Sequence, residues 1–156
     1  MIQASVLIVD DEPSVRQTLS EWMRKKNFHV FEAEGGRQAM EMIRRGDPDI
    51  VISDVVMPGM DGIQLLKEAK AVKADTPFLM ISGYPSRSTA VDIMKYGASD
   101  YLTKPFTPEE LVNRVSRTLR LKALCKPLDP ARGIILGVVI SSTMWMLIIG
   151  AILALF

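Results

Sequence analysis

The sequence has a single cysteine, Cys125, in 156 residues. One thiol excludes a disulfide framework and a multi-cysteine zinc site. There is almost no net charge, 19 Lys+Arg against 18 Asp+Glu. The basic excess of a nucleic-acid-coating protein is therefore missing, and no nucleic-acid partner is expected. A signal peptide is missing too. Residues 1–5 carry no positive charge, and the apolar run Val6-Leu7-Ile8-Val9 stops at Asp10-Asp11-Glu12. The body of the chain is expected in the cytoplasm, with Cys125 an inert thiol in a reducing compartment. No Walker sequence and no Gly-rich nucleotide loop is present. Residues 133–156 lack charge altogether, so every charged residue lies within 1–132.

What is present in 1–132 alternates between two periods. Val6–Val9 is a short, β-branched, fully apolar run that suits a buried parallel strand, and His29–Ala33, Ile50–Ile52 ending at Ser53-Asp54, Phe78–Ile81 and the short Tyr101-Leu102 read as four more strands. Between them lie helical stretches. Pro13 opens the first, with Val15, Leu19, Trp22 and Met23 on one face. The second follows Gly35-Gly36 and turns Ala39, Met40 and Ile43 inward. The third carries Ile63, Leu65, Leu66 and Ala69. Ser88–Tyr96 is the fourth, stopped by Gly97. The capping box Thr107-Pro108-Glu109-Glu110 opens the last, through Leu111, Val115 and Leu119. Five such units predict an α/β fold, a doubly wound, five-stranded parallel sheet of flavodoxin-like type with right-handed crossovers.

In such a sheet ligands sit beyond the carboxyl ends of the strands. The polar residues there are Asp10, Asp11 and Glu12, then Asp54, Ser82, and Thr103-Lys104. Each alone has an ordinary explanation in helix caps and turns. Together they bring carboxylates, a hydroxyl and an ammonium to one rim from four strands. Crowded carboxylates repel unless a cation joins them. Carboxylate oxygens suit Mg²⁺, which keeps several waters of its own. A lone lysine is a point charge for a phosphoryl oxygen. The set describes phosphoryl transfer onto a carboxylate nucleophile, with the donor supplied from outside.

At these residues the sequence resembles the receiver domains of two-component response regulators. The resemblance covers roughly 4–122. It rests on Val6–Glu12, on Ser53-Asp54-Val55-Val56-Met57-Pro58-Gly59-Met60-Asp61-Gly62, on Ser82-Gly83 and on Tyr101-Leu102-Thr103-Lys104-Pro105-Phe106. It implies that Asp54 is the phosphoacceptor and that Asp10, Asp11, Asp54 and the backbone carbonyl of Val56 hold Mg²⁺. It implies that Ser82 and Lys104 contact the phosphoryl group, that Tyr101 is the switch aromatic, and that Lys104–Pro105 is cis. Val56 and Tyr84 would flank the path of the hydrolytic water. The implied partner is a histidine kinase or a phosphotransfer protein.

The tail departs from the family's common plan, in which an output domain follows. The domains are expected as a receiver over 1–122, a juxtamembrane linker over 123–132 containing Pro127 and Pro130, and a transmembrane helix over 133–156. A helix of that length, about 34 Å, crosses a hydrocarbon core of about 30 Å. Arg114, Arg117, Arg120, Lys122, Lys126 and Arg132 precede it and nothing basic follows. This predicts a single-pass membrane protein with its receiver in the cytoplasm. Gly133, Gly137 and Ser141 recur every four residues, a spacing that suits a homodimer but also arises by chance in apolar helices.

The functional expectation is a membrane-tethered receiver, phosphorylated on Asp54, that signals through protein contacts. The alternative is a membrane adaptor that uses the receiver fold as a phosphorylation-independent scaffold. An enzyme acting on diffusible substrates is not expected. A phosphatase with a carboxylate nucleophile would want a second acid two residues after Asp54, where Val56 stands.

Overall fold

The computed structural model describes residues 3–46, 48–83 and 87–125, residues 87–89 by their backbone. Ten elements alternate. They are β1 (Ser5–Val9), α1 (Pro13–Lys25), β2 (His29–Ala33), α2 (Gly36–Arg45), β3 (Ile50–Asp54), α3 (Gly62–Val72), β4 (Phe78–Ser82), α4 (Arg87–Lys95), β5 (Asp100–Thr103) and α5 (Pro108–Leu124). The sheet is parallel in the order β2-β1-β3-β4-β5. The expected doubly wound, flavodoxin-like architecture is present. The strand order reverses between β1 and β3, which opens a crevice at their carboxyl ends.

Alternation along the strands sorts the core into two layers. Leu7, Val9, Val51 and Met80 face α2, α3 and α4 through Ala39, Met40, Ile43, Leu65, Leu66 and Ile93. Val6, Ile8, Ile50, Ile52, Leu79 and Ile81 face α1 and α5 through Leu19, Met23, Leu111 and Val115. The three inner strands β1, β3 and β4 are buried on both faces, which explains why they read as apolar runs, while the edge strands β2 and β5 are only partly buried. Every large aliphatic side chain fully buried in this way contributes on the order of 2 kcal/mol.

Local signals act as expected at most ends. Pro13 occupies the start of α1. Gly46 and Gly97 end α2 and α4 at φ 90° and 92°, values that favour glycine. The box at α5 is half formed. Thr107 Oγ1 accepts from Glu110 N at 3.2 Å, while the Glu110 carboxylate turns to Arg114 at 3.6 Å. Leu119 packs half-buried against the core beside Leu111 and Val115, as expected, and Thr118 next to it is buried as well. α5 continues to Leu124, beyond the boundary expected at 122.

The transmembrane helix expected over 133–156, the linker beyond Cys125, and Tyr84 lie outside the described residues. Among the described residues no helix is long and apolar enough to cross a membrane.

Candidate functional site

The strand ends deliver the candidate side chains to the β1/β3 crevice. Asp10 follows β1 and is 3% exposed. Its Oδ1 accepts from Glu12 N at 2.9 Å, which bends the chain into α1. Asp54 closes β3, and its Oδ1 accepts from Val55 N at 2.8 Å. Lys104 follows β5 and reaches across the rim. Its Nζ lies 3.0 Å from Asp54 Oδ2 and 3.6 Å from Asp10 Oδ2. Ser82 ends β4, is buried, and its carbonyl accepts from Lys104 N at 2.9 Å. Asp11 is exposed beside Asp10. Lys104–Pro105 is cis, as the resemblance implied.

The electrostatics follow from this crowding. Burial pushes the Asp10 carboxyl up, and the charges of Asp54 and Asp11 add to that. The Glu12 amide and Lys104 oppose them without prevailing. Burial alone would pull the Lys104 ammonium down, but its hydrogen bond to Asp54 and the charges of Asp54 and Asp10 hold it above its ordinary value. The ammonium is therefore fixed as a cation between two carboxylates, and Asp10 remains short of positive charge. A bound cation would meet that need. Among the described residues no three acidic, His or Cys side chains are already drawn together into a cage. The three carboxylates that the resemblance implies as ligands, Asp10, Asp11 and Asp54, are thus not gathered into such a cage here.

Val56 is 62% exposed at the mouth of the site. The Tyr101 ring packs against the core of the α2/α3/α4 face, with its hydroxyl buried and without a hydrogen-bond partner. Its amide is held by Asp100 Oδ1 at 2.8 Å, and Asp100 is held in turn by Arg114 at 2.8 Å. A cavity of about 290 Å³ adjoins the site between α1 and the segment after β5, lined by Ser14, Thr18, Trp22, Lys104, Pro105 and Phe106 among others.

Two further residues shape the site without any local signal in the sequence. Arg16 donates to the Asp10 carbonyl at 2.7 Å and lies 3.8 Å from Glu32 on β2, so it clamps the loop bearing both Asp10 and Asp11. Gly62 opens α3 directly against the Asp54 carbonyl. A β-carbon there would stand 2.1 Å from that oxygen. Gly62 belongs to the motif quoted above, but only the fold reveals what it touches.

A family model described as the response regulator receiver domain matches residues 6–116. The chain is similar to the chemotaxis protein CheY of Bacillus subtilis (strain 168), 37% identical over 115 residues, 73% of this chain and 96% of that one. It is 40% identical over 121 residues to the regulatory protein AtoC of Escherichia coli (strain K12), covering 78% of this chain and 26% of AtoC. It thus spans about a quarter of that relative's length. Among solved structures it resembles the chemotaxis protein CheY4 of Vibrio cholerae, with a TM-score of 0.71 and 34% identity over 75% of this chain and 99% of that one. It also resembles the receiver domain of the Francisella response regulator 1452, with a TM-score of 0.72 and 30% identity over 76% and 98%.

Proposed function

The chain belongs to the response regulator receiver family, and from that premise we propose that it accepts a phosphoryl group on Asp54 from a histidine kinase or phosphotransfer protein while tethered to a membrane by residues 133–156. The observation that carries the phosphoryl part is the Lys104 ammonium, 3.0 Å from Asp54 and 3.6 Å from Asp10. The tether rests on the uncharged run 133–156.

Asp54 Oδ attacks the phosphorus as the bond from phosphorus to the donor's imidazole nitrogen breaks, and the imidazole leaves with its electron pair. Lys104 gives up its bond to Asp54 Oδ2 for one to a phosphoryl oxygen, and Ser82 offers its hydroxyl to another. Asp10, Asp11, Asp54 and the Val56 carbonyl would hold Mg²⁺, whose charge offsets repulsion between the carboxylates and the phosphoryl oxygens. Tyr101, already packed inward, would stabilise the rearranged Ser82 segment. The product signals through protein contacts, and the chain turns over no diffusible substrate.

The test uses the full chain in vesicles, with phosphoramidate or trifluoroberyllate as the probe. Uptake should require Mg²⁺ and fail in Asp54→Asn. Equal uptake by Asp54→Asn removes the assignment of the nucleophile. Recovery of a 133–156 deletion in the membrane fraction removes the tether.

A further inference from the structure

All five strands are parallel and each is followed by a helix that returns, so the five helix C-termini share one end of the domain, opposite the phosphoacceptor rim. Contacts confirm it. Lys122 near the end of α5 donates to the Asp49 carbonyl at 3.0 Å, just before β3. The Lys73 ammonium, after α3, lies beside Gly46, after α2, and Lys70 on α3 lies beside Gly97, after α4.

This end is basic. Lys25, Lys26, Arg44, Arg45, Lys95 and Arg120 are exposed there. The acids nearby are few. Asp49 is held by Ser5, Asp100 by Arg114, Asp92 lies 3.7 Å from Lys95, and Asp75 is exposed; the sequence adds Asp47. The acceptor rim carries the opposite sign, in Asp10, Asp11, Glu12, Asp54 and Asp61. Helix dipoles favour cations at C-termini, and the pairs Lys25-Lys26 and Arg44-Arg45 add to the charge of this end. A second observation is independent of charge. Of the seven large apolar side chains exposed on the described surface, Val72, Met94, Tyr96, Leu121 and Leu124 stand near helix C-terminal ends, Leu124 at 76% exposure, while Val91 lies within α4 and Val56 at the opposite rim. Cations interleaved with exposed aliphatic and tyrosine side chains suit a bilayer's headgroup layer, where the apolar groups sink and the cations meet phosphates. The sequence that follows α5 leads from this same end into the uncharged run 133–156.

We propose that this basic, apolar-studded end of the domain rests on an anionic bilayer surface, so that the Asp54 rim faces away from the membrane toward incoming donors. The inference rests on the membrane tether of the preceding reading and adds an orientation to it. The partner is anionic lipid, recognised by charge and by shallow apolar insertion.

The test reconstitutes the full chain in vesicles of phosphatidylcholine alone and of phosphatidylcholine with phosphatidylserine. Brief acetylation followed by mass spectrometry reads the labelling rates of Lys25, Lys26 and Lys95. A cation near an anionic surface gains about fivefold in partitioning, so these lysines should label about fivefold more slowly on the anionic vesicles. High salt should restore the rate. The variant Lys26→Gln/Arg44→Gln/Arg45→Gln should label at Lys25 and Lys95 as fast on anionic as on neutral vesicles. The salt series on the parent needs no variant and guards against misfolding. Equal labelling on both vesicles, while flotation after an alkaline wash shows the chain inserted, overturns the orientation and leaves the tether standing. Loss of flotation on both overturns the tether and the orientation with it. Stronger protection by added duplex DNA on neutral vesicles than by phosphatidylserine also overturns the proposal.

Discussion

Replacing Gly62 by alanine sets two effects against each other. In an exposed helix interior, Gly→Ala stabilises by about 1 kcal/mol, and Gly62 is helical with no positive φ to forbid the change. Propensity alone therefore predicts a gain. Contact predicts the reverse. The new β-carbon would stand 2.1 Å from the Asp54 carbonyl oxygen and 3.0 Å from both its carbon and the Met80 Cε. Met80 can swing its methyl away. The carbonyl cannot, since β3 is paired on both sides, and separation to an ordinary contact requires a shift of about 1 Å, the scale of overpacking that costs about 1–3 kcal/mol. The first helical position also recovers less of the propensity gain. The net expectation is a destabilisation of about 1–2 kcal/mol. In a fragment ending at Cys125, with an m-value of about 1–3 kcal/mol per molar urea, the midpoint should fall by roughly 1 M. Phosphoryl uptake should slow by up to about a hundredfold, because the Asp54 carboxylate moves with its backbone. Gly35→Ala is the control. Its φ is 179°, an extended value, and nothing lies within 4 Å of the added carbon. An unchanged or raised midpoint in Gly62→Ala, with uptake at the parental rate, refutes the contact argument.

Asp10→Asn should stabilise the metal-free fold, because burial and the neighbouring carboxylates raise its carboxyl and make its ionised form costly at neutral pH. Urea unfolding in chelator measures this, and a destabilised variant contradicts it. Asp49 behaves oppositely. Burial pushes its carboxyl up, but hydrogen bonds from Ser5 N and Oγ, with the charges of Lys122 and Lys73, bring it below the ordinary 3.8. Its stabilisation is therefore present above the ordinary aspartate range and lost as pH falls through the folded value. Asp49→Asn should cost about 1–2 kcal/mol at pH 7, a gap that closes below about pH 4; a gap constant into acid would exclude the linkage. Val56, exposed and without a polar atom on its side chain, cannot orient a water on the acyl phosphate. Val56→Asn should shorten the phosphoprotein lifetime by about tenfold, one hydrogen bond's worth, and equal decay of the two proteins would show that Val56 does not set the rate.

The fold was legible because burial on both faces leaves a coarse signature. Val6–Val9 and Phe78–Ile81 are unbroken apolar runs that stop at acids or hydroxyls, and Ala39, Met40 and Ile43 repeat at helical spacing. Asp10, Asp54, Ser82 and Lys104 were legible as strand-end residues, since a parallel sheet gathers its carboxyl ends whatever the loops do. Arg16 was not, because its partners are a backbone carbonyl and a glutamate on β2, and neither leaves a pattern around position 16. The contact of Gly62 was hidden for the same reason. The burial of Thr118 beside Leu119 was not legible, because a spacing rule finds a helical face without fixing its width to the residue.

Lys104 hangs from β5, an edge strand paired on one side only, with β4. Its partner Asp54 is 50 residues away in the chain. Closing loops of that length is entropically unfavourable until the intervening strands have docked. The acceptor therefore cannot be assembled piecemeal. Asp10 waits on β1, Asp54 on β3, Ser82 on β4, and the ammonium that completes the set waits on the outermost strand. A chain stalled during synthesis or partly unfolded carries the same aspartate but no working acceptor. On the proposed function, phosphorylation would thereby be restricted to finished molecules, and damaged copies would stay silent without any separate surveillance.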